Sequence, residues 1–158
     1  MSGKQFKLCV IPGYRCNFKC AHCSATSKRF KRLKNIEVEA IINAIKAYDI
    51  RSLHFVGGEP TLYISDINRI LSSLPNLNRT KIRLTTNGYF AVRKELMRKV
   101  MTSLLKVDHF QLSYDKFHAK FLPFDKIQVL HEECRRQRVG FSVAICIQSP
   151  LDLTITPR

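Results

Sequence analysis

A recurring switch between two apolar periods constrains this chain more than any other feature. Runs that are apolar at period two, or without a break, give way to apolar residues spaced near 3.6, and the switch repeats four times. FKLCVIP (6–12) predicts a first strand, and a helix follows from about Ile36, with Ile36, Ala40, Ile41, Ala44, Ile45 and Tyr48 on one face and Asn35 as its cap. SLHFV (52–56) predicts the second strand; ISDINRILSSL then sets Ile67, Ile70, Leu71 and Leu74 on one helical face and stops at Pro75 and Asn76. KIRLTT (81–86) is the third strand, closed by Asn87 and Gly88, and Val92, Leu96, Val100 and Leu104 follow at spacing four. HFQLS (109–113) is the fourth strand, 123–139 the fourth helix, and FSVAICI (141–147) a nearly all-apolar fifth strand of the kind buried on both faces. LDLTITPR (151–158) reads as one more short strand or a frayed tail.

Strands joined by helices run parallel with right-handed crossovers, so this rhythm allows an open doubly wound sheet or a partial barrel. In both, ligands gather at the carboxyl ends of the strands. The unusual residues fall there: three cysteines after the first strand, GGEP after the second, TTNG after the third and SYD after the fourth. With 158 residues and no linker or low-complexity stretch, a single domain over 1–158 is expected, with a loop over 12–34 and a tail of uncertain structure over 149–158.

CNFKCAHC (16–23) places Cys16, Cys20 and Cys23 in one loop, while Cys9, Cys134 and Cys146 lie in apolar segments and read as small buried hydrophobes. Clustered thiols favour a metal over disulfides in a reducing compartment. A structural zinc wants four protein ligands, and no fourth stands at the usual spacing, although His22 lies within the motif and His54 could come near. A cubane of four irons and four sulfides held by three thiolates keeps one iron free for a substrate or cofactor.

CxxxCxxC after a first strand, together with GGEP at the end of the second, resembles the radical S-adenosylmethionine (radical SAM) superfamily, and the likeness runs through TTNG and LSYD to the fifth strand. The resemblance implies an α/β fold: a partial TIM-like barrel of about five parallel strands with helices outside, its C-terminal part short or missing against the six units usual in the family. It implies a [4Fe-4S] cluster on Cys16, Cys20 and Cys23, and S-adenosylmethionine chelated to the fourth iron. His22 would pack on the adenine, and Phe18 would pack the loop onto the barrel. Gly57 and Gly58 would let backbone approach the methionyl end, with Glu59 as partner of its ammonium group. Ser113 and Asp115 match the ribose-binding position, Asn87 would touch the cofactor carboxylate or cap a turn, and 143–145 would line the adenine or simply pack in the core. The implied activity is reductive cleavage to a 5'-deoxyadenosyl radical that abstracts hydrogen from an unspecified substrate, with a flavodoxin- or ferredoxin-like reductant. The short C-terminus also fits a barrel completed by a protein partner or a second copy.

Charge adds a different expectation. The net charge is +15, from 27 Lys and Arg against 12 Asp and Glu, which attracts polyanions such as nucleic acid or nucleotides. Lys28, Arg29, Lys31 and Arg32 in KRFKRLK are the candidate contacts, with Arg93, Lys94, Arg98 and Lys99 and with RRQR (135–138) as further basic runs; solvated helix faces are the plain alternative. Two alternatives to the enzyme remain: a nucleic-acid-binding module with a structural metal, and an inactive iron–sulfur regulatory subunit. No run is long enough to cross a bilayer and the first residues lack a secretory signal, so the chain is expected in the cytoplasm, with no membrane partner.

Overall fold

The computed structural model describes residues 6–23, 25, 32–48 and 50–147. Strands β1 (Phe6–Val10), β2 (Ile50–Phe55), β3 (Lys81–Thr86), β4 (His109–Ser113) and β5 (Gly140–Ala144) alternate with helices α1 (Asn35–Ala47), α2 (Ile64–Ser72), α3 (Lys94–Ser103) and α4 (Asp125–Arg136). The sheet order is β1-β2-β3-β4-β5 and every neighbouring pair is parallel. A doubly wound sheet reverses its strand order at a switch point. Here each strand lies beside its predecessor, so successive right-handed crossovers put all the helices on one side and the sheet forms an arc of a TIM-like barrel.

The two faces of the arc differ in chemistry because strand side chains alternate. Val10, Leu53, Phe55, Ile82, Leu84, Phe110 and Leu112 are buried on the helix-covered face. They pack against Val38, Ile42 and Ile45 of α1, Ile67, Ile70 and Leu71 of α2, Val100 of α3, and Leu130 and Cys134 of α4. Each such side chain contributes about 1.5–3 kcal/mol on burial. The intervening positions are polar: register aligns Lys7, Ser52 and Lys81 in one row, and Cys9, His54, Arg83 and His109 in the next. Thr85, Gln111 and Ser142 form a third row toward the carboxyl ends. The inner face is therefore a polar wall.

Several local expectations shift. In α1 the buried residues are Val38, Ile42 and Ile45, while Ala40 and Tyr48 are exposed, so the face is rotated from the expected one. Its cap is Lys34, whose backbone N–H donates to the Glu37 carboxylate, whereas Asn35 already lies in the helix and its side-chain oxygen accepts from Arg69. The α2 face of Ile67, Ile70, Leu71 and Leu74 is buried as expected. A 3-10 turn over Tyr89–Val92 delays α3, leaving Val92 exposed and burying Met97 and Met101 beside Val100 and Leu104.

The fifth strand differs most. It is the shorter β5, paired only with β4 among the described residues, so Val143, Ile145 and Ile147 are exposed rather than buried on both faces. Cys9 and Cys146 are exposed, the first on the polar inner face, and only Cys134 is the buried hydrophobe expected of all three. The tail 149–158 lies outside the described residues. No helix among the described residues is long and apolar enough to cross a membrane.

Candidate functional site

The loop leaving β1 folds back over the carboxyl end of the sheet. Leu33 N–H donates to Pro12 O at its base, and Cys23 N–H donates to Cys20 O in a turn that brings those two cysteines together. Phe18 stacks on Phe121 with ring centroids 4.9 Å apart, so it packs the loop onto the barrel as expected. Cys16, Cys20 and Cys23 then line one cavity of about 270 Å³ with Gly57, Gly58 and Asn87.

All six cysteines are free thiols. Burial pushes the Cys16 and Cys20 thiols up, Cys20 to about 11, and charge on Cys16 and Cys23 raises Cys20 further. Three thiols line one cavity, and neighbouring thiolate charge opposes ionisation of Cys16 and Cys20; a cation relieves that opposition, so these residues fit a metal cluster. Phe18 N–H and Asn87 Nδ2 each donate to Cys16 Sγ at 3.4 Å, both favouring the thiolate.

The GGEP turn is the surface on which this loop rests. Gly58 N–H donates to Gly13 O at 3.0 Å, Glu59 N–H to Arg15 O at 2.9 Å, and Arg15 N–H to the Tyr63 hydroxyl at 2.8 Å. A Cβ on Gly58 would stand 2.3 Å from Arg15 O and 2.6 Å from Tyr14 C; one on Gly57, whose φ is +129°, would stand 2.6 Å from Gly13 O. The glycines thus admit the cysteine loop's backbone, while still lining the cavity from the other side.

Glu59 departs from its expected role as a partner facing the cofactor. Its side chain is fully buried, and its Oε1 accepts from Thr61 N–H (3.1 Å), the Thr61 hydroxyl (2.6 Å) and the Thr86 hydroxyl (2.8 Å), its Oε2 from Asn87 N–H (2.8 Å). Burial raises this carboxyl's pKa against the pull of those four donors. The carboxylate clamps the end of β2 to the end of β3. Asn87 takes the turn-capping role, its Oδ1 accepting from Tyr89 N–H, and its Nδ2 donates to Cys16 Sγ and, at 3.0 Å, to Asn17 Oδ1.

Ser113 and His22 line the same cavity, joined by His118, which the sequence reading did not single out. Asp115, buried, accepts at Oδ1 from Phe117 N–H, His118 N–H and His118 Nδ1 at 2.8–3.1 Å. Burial works to raise its carboxyl, but the His118 and backbone donors hold it below the usual carboxylate range. His22 Nε2 lies 3.6 Å from Asp115 Oδ2, and its ring sits against Phe117 at 4.3 Å. An Asp followed three residues later by His in SYDKFH is the only sequence signal for this pair. On β5, register sets Ala144 beside Ser113 on the inner face, while Val143 lies beside Leu112 on the helix side.

Arg32 is paired with Asp66 of α2 through two hydrogen bonds of 2.6 and 2.7 Å, which ties the end of the loop to that helix. Lys28, Arg29 and Lys31 lie outside the described residues. Arg93, Lys94, Arg98 and Lys99 are exposed, and Arg136 of RRQR pairs with Glu133.

The family model described as Radical SAM superfamily matches residues 10–145. The chain is 32% identical over 88 residues to a probable GTP 3',8-cyclase of Methanococcus maripaludis, covering 54% of this chain and 29% of that protein. It is 29% identical over 134 residues to a 7-carboxy-7-deazaguanine synthase of Methanocaldococcus jannaschii, covering 75% of this chain and 54% of the relative. The alignments thus span between under a third and about half of those relatives' lengths. Among solved structures, BtrN in complex with AdoMet and 2-DOIA superposes with a TM-score of 0.65 at 14% identity, over 94% of this chain and 60% of that one. Native anSMEcpe with bound AdoMet and Cp18Cys peptide gives 0.62 at 20% identity, over 87% and 42%.

Proposed function

The chain belongs to the radical SAM superfamily, and from that premise we propose that it is an enzyme holding a [4Fe-4S] cluster on Cys16, Cys20 and Cys23 and S-adenosylmethionine in the cavity they line. The observation that carries this is the convergence of three thiols, two glycines and a polar corner on one cavity at the carboxyl ends of β1 to β4. When bound, the reduced cluster and the sulfonium cofactor supply one-electron cleavage of a carbon–sulfur bond and hydrogen-atom abstraction from a substrate.

The chain's own part is binding and positioning. The donors from Phe18 and Asn87 stabilise Cys16 as thiolate, and burial of Cys20 limits the access of water to its sulfur. Gly57 and Gly58 offer backbone to the methionyl end. Glu59 acts through others: by fixing Thr86 and Asn87 it sets where the Asn87 amide stands. Ser113, Asp115 and His118 form a hydroxyl-binding corner, with Asp115 kept ionised by His118, and the His22–Phe117 pair offers an aromatic surface to a purine.

Electrons would come from a flavodoxin- or ferredoxin-like donor. The edge of β5, which pairs only with β4 among the described residues, supports a partner or second copy extending the sheet, and +15 supports a nucleotide or nucleic-acid partner, for which a salt titration of oligonucleotide binding is the test. For the central reading, anaerobic reconstitution should give about four irons per chain and, with dithionite, 5'-deoxyadenosine. Cys16→Ala should lose both; full iron in that variant refutes the ligand assignment, and a zinc-loaded, iron-free wild type refutes the cluster.

A further inference from the structure

The inner face of the arc carries a second cavity, of about 510 Å³, at the amino-terminal end of the strands and below the cysteine mouth. It is lined by Lys7 of β1, Ser52 and His54 of β2, Lys81 and Arg83 of β3, and His109 of β4. These residues are the two lower rows of the polar wall, Lys7–Ser52–Lys81 and Cys9–His54–Arg83–His109, so they share one face by register. The volume is that of a small-molecule site, but the wall is cationic where such sites are usually apolar.

Its charge is uncompensated. The side chains of Lys7, Lys81 and Arg83 have no hydrogen-bond or ion-pair partner among the described residues. The single acid among the described residues that line the cavity, Asp108, is already engaged, accepting from Ile82 N–H at 2.7 Å with Lys106 Nζ at 3.4 Å. Burial and the nearby Arg83 charge lower the basicity of His54 and His109, leaving neutral rings bonded to Thr85 and Ser142 at 2.7 Å. A polar chain joins the two cavities: His54 contacts Thr85, which donates to Gln111 and itself lines the cysteine mouth.

We infer that this inner face is an oxyanion site, in which Arg83, with Lys81 and Lys7 in the row below it, holds the phosphate or carboxylate end of a small substrate whose other end reaches the cysteine cavity. Arg83 presents a planar fork suited to two oxygens of such a group, and the lysines add charge without geometry. Thr85 and Ser113 lie one and two rows further toward the mouth, so an anion on Arg83 sets the rest of its molecule roughly 7–13 Å along the strands. The inference rests on the proposed function only for what happens at that far end.

Titration calorimetry of the full chain with pyrophosphate, and separately with citrate, tests it. Binding should be measurable to wild type with either probe, whichever binds tighter naming the source of the oxyanion, and Arg83→Gln should weaken it at least about tenfold. Arg83 is exposed, so the variant should fold; Lys81→Gln, also exposed, should weaken binding less. Lys99→Gln on the outer surface removes the same charge and should leave affinity unchanged. No binding by wild type, or equal affinities for Arg83→Gln and Lys99→Gln, overturns the site. The same titration on Cys16→Ala separates the two readings. Arg83-dependent binding there shows the anion site to stand without the cluster, and a wild type that loads iron and cofactor but binds neither probe fails this inference alone.

Discussion

Replacing Gly58 by Ala adds one methyl group where the turn and the cysteine loop are already in contact. Its Cβ would stand 2.3 Å from Arg15 O, and backbone cannot swing aside as a flexible side chain does. Reaching an ordinary contact of 3.4 Å requires the loop to retreat by about 1 Å. The same displacement stretches the 2.9 Å bond from Glu59 N–H to Arg15 O beyond hydrogen-bonding range. Overpacking costs about 1–3 kcal/mol and the lost bond about 0.5–1.5, or roughly 2–4 kcal/mol together. For a chain of this size that lowers Tm by roughly 4–16 °C. Because Cys16 follows Arg15 directly, iron retained after reconstitution should fall as well. Gly88→Ala is the control: its methyl meets the end of Leu112, a flexible side chain, at a φ of +72°, so it should cost about 1–2 kcal/mol of backbone strain and keep full iron. Thermal unfolding and iron content of the three proteins decide the matter. A Gly58→Ala protein with unchanged Tm and full iron would refute the packing role of the GGEP glycines.

Glu59→Gln replaces an acceptor of four hydrogen bonds by a group that must turn two donors toward other donors; stability should fall by about 1–3 kcal/mol in urea titration, with weaker S-adenosylmethionine binding as a consequence. Cys134→Ser buries an added hydroxyl in the core and should lower Tm with iron unchanged, whereas Cys9→Ser, on the exposed inner face, should alter neither; a loss of iron in either would extend the ligand set beyond the loop. The Glu133 carboxyl is held at about 2, first by the Arg136 guanidinium, below its ordinary 4.5. Its folded value is depressed, so the pair's contribution is complete above about pH 4.5 and fades as pH falls toward about 2. Arg136 is 66% exposed, which limits that contribution to about 0.3–0.5 kcal/mol; the stability gap between wild type and Glu133→Gln should close over that window, and a gap that widens in acid would contradict the pairing.

The elements legible in the sequence are those with one unambiguous pattern. Ile67, Ile70, Leu71 and Leu74 offer α2 a single apolar stripe, and β3 and β4 alternate cleanly. The α1 segment carries apolar residues around most of its circumference, so Val38, Ile42 and Ile45 compete with the set running from Ile36 to Tyr48, and only packing on the sheet chooses between them. Composition did not reveal that β5 is the last strand of the sheet among the described residues, since exposure there depends on what lies beside it. The thiol spacing and GGEP were plain, yet the direction of the Glu59 side chain is a property of Thr61, Thr86 and Asn87 together. The polar wall was written in the strands, at Ser52, His54, Arg83 and Gln111, but it gains meaning only when register aligns them.

The sequential strand order also ranks the steps by which the chain closes on itself. Phe55 pairs with Leu84 and Leu84 with Phe110 across 29 and 26 residues, whereas Val10 pairs with Phe55 across 45 because the cysteine loop intervenes. The longer closure costs only about 0.4 kcal/mol more in chain entropy, but it must also seat that loop on the glycine turn, which exists only after β2 and β3 are joined. β1, although made before the strands it joins, is therefore expected to dock late, and the three thiols to stay apart until it does. Pulse-labelled hydrogen exchange should find the Leu84 amide protected before that of Val10; the reverse order would place assembly of the thiol loop ahead of the sheet it rests on.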